Sequence, residues 1–341
     1  MFQEKSGIIF LILTVLLVIS MAVGIMVGPV SIHVKQILIV VIDQLPGLNL
    51  AGVHENARTI ITELRIPRVL LGFLVGGALA VSGTIMQGIF RNPLATPYIL
   101  GVASGGSAGA SLVILLGVAT PLAHPLGALG GAAMVVGMVY RLSWSRGTTS
   151  TYTLILAGVA LSALCSAITT FLIFLAGPYE QHRILFWIMG GLWKASWPVI
   201  MVMFPLIGFG MAGSLFWGRD MNALALGENT AFHLGIKPEQ VKTLLLGLAT
   251  VITALSVAVA GTIGFVGLIV PHILRLLMGP DHRKLLLASV IGGGGFLIAM
   301  DAVARFIMPP SEVPVGVITA FLGAPFFLYL LRRTRTGMQI G

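Results

Sequence analysis

The 341-residue chain has little charge and almost no cysteine. Charged residues make up only 9% of it and hydrophobic residues 57%, and the mean hydropathy is +1.02. Soluble domains carry about 25% charged residues, so this scarcity excludes an ordinary soluble protein and indicates an all-α integral membrane protein. The single cysteine, Cys165, excludes an internal disulfide. The net charge of +9 is interpreted as an orientation signal, and no nucleic-acid partner is expected.

The sequence also lacks the residues that drive catalysis or ion-coupled transport. None of the eleven Asp and Glu residues lies at the middle of a predicted span, whereas ion-coupled carriers usually need an intramembrane ionisable group. There is no GxxxxGK[ST] segment to bind ATP phosphates, no side-chain cluster that predicts a metal site and no nucleophile motif. We therefore expect a chain that is not an enzyme, holds no cofactor of its own and receives energy from a partner.

Long apolar runs are what the sequence has in abundance. A membrane-crossing helix needs about 20 apolar residues, and ten segments qualify, although the eighth is short and contains Pro271. The 43 glycines suit closely packed membrane helices. One transmembrane domain over residues 1–341 is expected. The predicted spans cover residues 7–26, 69–89, 97–117, 122–140, 153–175, 199–217, 243–261, 263–278, 285–306 and 313–331.

The distribution of Lys and Arg predicts the orientation. With the N-terminus in the cytoplasm, thirteen of the twenty Lys and Arg residues lie at cytoplasmic ends, as the positive-inside rule requires. Both termini and the polar segment 219–241 are then inside the cell. Residues 29–67 are outside, where the apolar run 37–45 is too short to cross and is expected to pack on the outer surface.

Segment 219–241 is polar but retains apolar residues at roughly helical spacing. Gly227 and Gly235 stand where two short helices would end. Two interpretations are open: an ordinary polar loop, or a firm surface on which an energy-supplying partner acts. The candidate coupling residues are Asn222, Ala223, Leu224, Ala225, Leu226, Gly227, Glu228, Ala231, Leu234 and Gly235.

A short motif recurs at a distance of 178 residues. Residues 80–85 (AVSGTI) reappear as 258–263 (AVAGTI), and Pro93 and Gly101 correspond to Pro271 and Gly279. The first copy falls at the inner end of the second span and the second copy at the outer end of the seventh span. Because the same motif then has opposite orientations in the membrane, it favours an inverted-topology repeat. Chance similarity in a glycine-rich chain is the alternative.

Several stretches together resemble the permease subunits of importers for iron–siderophore complexes, haem and vitamin B12. The similarity covers residues 64–331. The stretches that carry it are LRIPRVL (64–70), GGALAVSGTIMQGIFRNPLATPYILGVASG (76–105), LAGVALSA (156–163), FWIMGGL (186–192), MNALALGENTAFHLGI (221–236), AGTIGFVGLIVPHILRLLMGPDHR (260–283), DAVAR (301–305) and EVPVGVITAFLGAPFFLYLL (312–331).

This resemblance implies an architecture like that of the vitamin B12 importer permease and a set of partners. Two copies of the chain would surround one path, with two ATPase subunits that bind ATP–Mg below and an extracytoplasmic binding protein above. The segment 219–241 would contact the ATPase. The cargo would be a metal chelate, with siderophore, haem, cobalamin and molybdate all represented in the family. A secondary carrier or channel is the alternative, against which the missing mid-span acids argue.

Two further sets of residues take their roles from the resemblance. Arg65, Arg68 and Arg305 would receive acidic residues of the binding protein; span anchoring, or pairing of Arg305 with Asp301, are alternatives. Small residues spaced four apart on the fifth and tenth spans would line the path, although such stripes commonly serve helix packing. The path candidates are Gly158, Ser162, Ser166, Thr170, Gly316, Ala320 and Ala324.

Overall fold

The computed structural model describes residues 2–43, 55–118, 120, 122–145 and 148–335, which are mostly helical. Seven described helices are long and apolar enough to cross a membrane, and three shorter apolar helices accompany them. Taken together they follow the ten predicted spans in order, so the all-α, multi-pass prediction is confirmed. The helices are α1 (Phe2–Met26), α2 (Val34–Asp43), α3 (Glu55–Thr59), α4 (Ile66–Ile89), α5 (Val102–Leu115), α6 (Ala123–Ser143), α7 (Thr151–Leu175), α8 (Pro178–Met189), α9 (Trp197–Phe216), α10 (Gly218–Leu226), α11 (Glu228–His233), α12 (Pro238–Ala260), α13 (Val266–Met278), α14 (His282–Ile307) and α15 (Val315–Arg335).

Short elements fill the connections between the spans. A π-helical turn, Ile60–Arg65, joins α3 to α4, and a 3-10 turn, Pro97–Leu100, precedes α5. Strands β1 (Trp144–Ser145) and β2 (Thr148–Thr149) form an antiparallel pair between α6 and α7. Helix α2 buries Ile37 and Val40, which agrees with the prediction that this run packs on the bundle. The last two residues of the predicted run, 44–45, lie outside the described residues.

Helix α4 is the centre of the bundle. Helix α3, the π-helical turn and α4 form one continuous helix, Glu55–Ile89, and 89% of its 18-residue apolar window is buried. Two glycines let neighbouring backbones come close: a methyl group at Gly76 would lie 2.2 Å from the carbonyl oxygen of Gly293 on α14, and one at Gly83 would lie 1.8 Å from that of Gly267 on α13. Small residues at helix crossings permit this approach in membrane proteins. Helices α4, α13 and α14 are therefore in direct backbone contact.

The helix directions define two ends of the bundle. Trp197, at the start of α9, donates a hydrogen bond to the carbonyl of Thr62 just before α4, at 3.0 Å, so α4 and α9 start at one end. Both finish at the other end, where α10 and α11 follow. We call the end with α10 and α11 the coupling end, and the opposite end, where Arg68 lies, the Arg68 end.

Residues that are 178 positions apart in the two copies of the motif do not occupy equivalent places in the structure. Gly83 lies inside α4, whereas Gly261 ends α12 with a φ of 67°. Pro93 lies in the connection after α4, whereas Pro271 is inside α13. The short sequence match therefore does not give the register of the two halves, because Gly83 lies within a helix and Gly261 ends one.

Candidate functional site

The segment 219–241 forms two short helices, α10 and α11, joined at Gly227. This residue has φ 132° and ψ 143°, a backbone conformation open to glycine and strained for residues with a Cβ. Gly235, with φ 83°, follows α11. The predicted pair of helices with a glycine junction is therefore present in the structure.

Part of the predicted coupling set is buried and serves as an anchor. Ala223 is 8% exposed, Leu224 4% and Ala231 0%. Their apolar side chains pack inward against the bundle in the single chain, and their contact with a partner stays a prediction. Their burial fixes α10 and α11 as a unit.

Asn222 is also an anchor. Its side-chain amide donates to Asp281 Oδ1 at 2.8 Å, and its Oδ1 accepts the backbone N–H of His282 at 2.8 Å. Burial works to raise the pKa of Asp281, but the Asn222 and backbone hydrogen bonds, with Lys284 and Arg283 nearby, bring that pKa below its ordinary value. Asn222 thus ties α10 to the start of α14 through a charged partner.

A second tie was not assigned from the sequence. Arg91, which follows α4, donates from Nη2 to the carbonyl oxygen of Leu224 at 2.6 Å. Arg91 adopts a positive φ of 46°, which is uncommon for a residue with a side chain. Its position next to the end of a span was the available signal, but its partner lies 133 residues away. Through Arg91 and Asn222, α10 is fixed to both α4 and α14.

Two of the remaining coupling residues, Leu226 and Leu234, are exposed apolar side chains, and so is Phe232, which the sequence prediction did not include. Leu226 is 72% exposed, Phe232 65% and Leu234 63%. Ala225, Glu228 and Gly235 are exposed around them, and Glu228 pairs with Lys242 at 3.1 Å. A recess of about 500 Å³ lies beside Leu226. Exposed apolar side chains near one another in the chain are candidates for an interaction site, and we call Leu226, Phe232 and Leu234 the coupling face.

An open groove of about 630 Å³ contains the small residues of α15. Gly316, Ala320 and Ala324 line it. The backbone at Gly316 lies so close to α8 that a methyl group added at Gly316 would be 2.1 Å from the carbonyl oxygen of Met189. The residues around this groove carry no titratable side chain: Ile188, Met189, Thr262, Gly264, Gly316, Val317, Ala320, Phe321, Ala324 and Pro325.

The stripe on α7 lies elsewhere. Gly158 is buried, and a methyl group there would lie 2.0 Å from the carbonyl oxygen of Ile99, so it is a close-packing position in the single chain, and its role in lining the path stays a prediction. Ser162 is half-buried, and Ser166 and Thr170 are exposed. None of the four lines the groove.

The three candidate docking arginines do not form an exposed face. Arg65 is 4% exposed and Arg305 3%. Arg65 donates to the carbonyls of Ile25 and Met26, and Arg305 donates to that of Gly24. Carbonyls in the last turn of α1 therefore satisfy the guanidinium groups of Arg65 and Arg305.

Arg68 is the centre of an ion-pair cluster. It contacts Asp301 at 2.8 Å and Glu312 at 2.8 Å, and Asp301 also pairs with Arg305 at 3.0 Å. The Arg305–Asp301 alternative is thus confirmed. A cavity of about 330 Å³ borders Arg65, Arg68, Arg305 and Glu312. Docking of an external carboxylate through these residues stays a prediction, since it must compete with the internal acceptors.

Comparisons with known proteins agree with this architecture. The FecCD transport family model matches residues 15–333. The chain is 46% identical to the cobalamin import system permease protein BtuC of Halobacterium salinarum, over 82% of this chain and 75% of that one. It is 40% identical to the hemin transport system permease protein HmuU of Yersinia pestis, over 80% and 83%.

A solved structure has the same fold over nearly the whole length. It is described as a metal-chelate type ABC transporter in an inward-facing conformation, and it superposes with a TM-score of 0.84 at 31% identity, covering 96% of this chain and 99% of that one. The family model, the relatives and this fold agree. The chain is a multi-pass membrane protein that belongs to the FecCD transport family.

Proposed function

We propose that the chain is the permease subunit of an ATP-binding-cassette importer for a metal chelate such as cobalamin, haem or an iron–siderophore complex. Two copies would enclose the path. Two ATPase subunits would hydrolyse ATP–Mg at the coupling end, which would face the cytoplasm with both termini. A binding protein would deliver the chelate at the Arg68 end, from outside the cell.

The observation that carries this proposal is the coupling face. Leu226 and Phe232 are exposed on two short helices that are anchored to the bundle, and the exposed Leu234 directly follows the second helix. The chain has no nucleotide-binding motif, so a motor must be a separate protein that acts on a stiff surface. An apolar face on an anchored element meets both needs, and a partner that covered it would bury the exposed side chains.

The contacts of α10 supply a route from the ATPase to the path. Arg91 and Asn222 connect α10 to α4 and α14. Helix α4 meets α13 through the Gly83–Gly267 backbone contact, and the segment before α13 contributes Thr262 and Gly264 to the groove. Since packed elements move as rigid bodies, a shift of α10 would reach the groove through α4 and α13.

The groove also argues against the alternative of a proton- or sodium-coupled carrier. Such a carrier needs an ionisable group at the substrate site, and the groove residues named above are all uncharged. The Arg68–Asp301–Arg305 cluster is charged, but it lies at one end of the bundle and outside this groove. An uncharged groove instead suits a large cargo held weakly while it passes.

The second copy would complete the path. Phe321 lines the groove and is 75% exposed, so the groove is open along one side. A facing copy would close it, and the exposed Ser166 and Thr170 of α7 would then be available to face the partner's groove. The α7 and α15 stripes would in this way share one path across the subunit boundary.

Transport in proteoliposomes tests the proposal. The permease, reconstituted with its ATPase and binding protein, is expected to accumulate radiolabelled cobalamin, haem or an iron–siderophore complex only when ATP–Mg is supplied on the side of the coupling end. A collapsed proton or sodium gradient should leave the uptake unchanged. Uptake driven by an ion gradient without ATP would instead support the carrier.

A further inference from the structure

A cavity of about 710 Å³ opens at the coupling end between α1, the end of α9 and the start of α14. Its lining combines apolar side chains of the membrane-crossing helices with charged residues at their ends. The lining residues are Phe10, Leu215, Phe216, Arg219, Asp281, Arg283, Lys284 and Leu287. The cavity shares Asp281 and Lys284 with the recess beside Leu226, and it shares no residue with the groove.

The three cations of this cavity differ in their contacts. Lys284 donates to Ser6 Oγ at 3.0 Å, which ties α14 to α1. The stem of Arg283 packs on Gly218, where an added methyl group would lie 3.0 Å from Arg283 Cγ. Among the described residues, the guanidinium groups of Arg219 and Arg283 have no side-chain acceptor, and both residues are exposed. The lining therefore includes two guanidinium groups without a side-chain hydrogen-bond acceptor, although the charge of Arg283 is partly offset by Asp281.

The one acid of the lining is already engaged. Asp281 Oδ1 accepts from Asn222 at 2.8 Å and from the backbone N–H of Arg283 at 3.1 Å. Its carboxylate is therefore directed at protein donors. With three cations against one acid, the lining stays net positive.

We propose that this cavity binds the headgroup phosphate of an anionic phospholipid. Arg219 and Arg283 would hold the phosphate oxygens, since the planar guanidinium matches that geometry. An acyl chain would follow Phe216, which is 83% exposed, and Leu287, which is 45% exposed. Free phosphate would satisfy the cations but leave this apolar wall uncovered, so a lipid fits the whole cavity. Basic pockets between membrane helices commonly take such headgroups.

A lipid bound at this site would position helix α10. Arg219 belongs to α10, Arg283 and Lys284 belong to α14, and Phe10 belongs to α1. One lipid would thereby join the base of α10 to the two helices beside it. The assignment to the cytoplasmic leaflet rests on the orientation proposed above, whereas binding itself does not.

Native mass spectrometry of the purified full-length chain tests this site. Dioleoylphosphatidylglycerol is the anionic probe and dioleoylphosphatidylcholine the neutral one. We expect the double variant Arg219→Gln, Arg283→Gln to bind the anionic lipid roughly 25-fold more weakly, at about fivefold for each cation. The matched control is Arg141→Gln with Lys237→Gln, which removes two exposed cations elsewhere at the same end and should bind as the wild type does.

Each outcome of this experiment either supports the lipid site or overturns it. Preference for phosphatidylglycerol that is lost in the double variant and kept in the control supports the site. Equal binding of the two lipids, equal loss in both variants, or unchanged binding in the double variant would overturn it. Inorganic phosphate is added as competitor: displacement of the lipid by millimolar phosphate would show a phosphate site without lipid selectivity and would also overturn it.

Discussion

Replacing Gly227 with valine should abolish chelate uptake and uncouple or release the ATPase. The φ of 132° at this junction is accessible to glycine and strained for valine, at a cost on the order of 1–3 kcal/mol. The strain would be relieved by rotating α11 relative to α10, which displaces the coupling face. Uptake, ATPase retention on the purified complex and stimulation of ATP hydrolysis by the loaded binding protein are the measurements.

A matched glycine separates this effect from a general loss of fold. Gly213 lies inside α9, and an added methyl group there meets no atom within 4 Å. Gly213→Val should keep uptake close to the wild-type level. If Gly227→Val also kept subunits, stimulation and uptake, the two helices would be an ordinary loop, and coupling would have to be sought around residues 91–96.

Replacing Arg68 with methionine should destabilise the Arg68 end of the bundle. Its side chain is 12% exposed and holds Asp301, which is 3% exposed, together with Glu312. Removing one member of a buried ion-pair group costs about 3–5 kcal/mol. We expect a lower thermal midpoint of the purified permease and a smaller folded yield in the membrane.

Lys35→Met is the control for this variant, since it removes an exposed cation at the same end and should leave the thermal midpoint unchanged. Glu312→Gln, which keeps the shape of the side chain, should have a smaller effect than Arg68→Met because Glu312 is more exposed than Asp301. An Arg68→Met protein as stable as the wild type would show that the cluster contributes no stability.

The order of the spans could be predicted because hydropathy reports it directly. The junction at Gly227 could be predicted for a similar reason, since a glycine between two amphipathic stretches leaves few local structures. The strand pair β1–β2 and the helix α8 had no such signal. Each strand has two residues, and α8 is too short to cross a membrane.

The partners of polar side chains could not be predicted because they depend on distant parts of the chain. Arg65 reaches carbonyls about 40 residues earlier, and Arg68 reaches Asp301, 233 residues later. The sequence showed two arginines one helical turn apart, which is equally compatible with an exposed face and with a buried cluster. The same limit explains why Ala223 and Ala231 were grouped with the exposed residues of α10 and α11.

The coupling face is tested most directly by retention of the ATPase on a permease that carries Leu226→Asp and Phe232→Asp. Both side chains are exposed, so the fold should be kept, while two carboxylates would replace apolar contact area. The control, Asn229→Asp with Gln240→Glu, adds the same charge without removing apolar surface. We expect the first variant to lose the ATPase during affinity purification and the control to retain it. Wild-type retention by the first variant, or equal loss by both, would contradict the account.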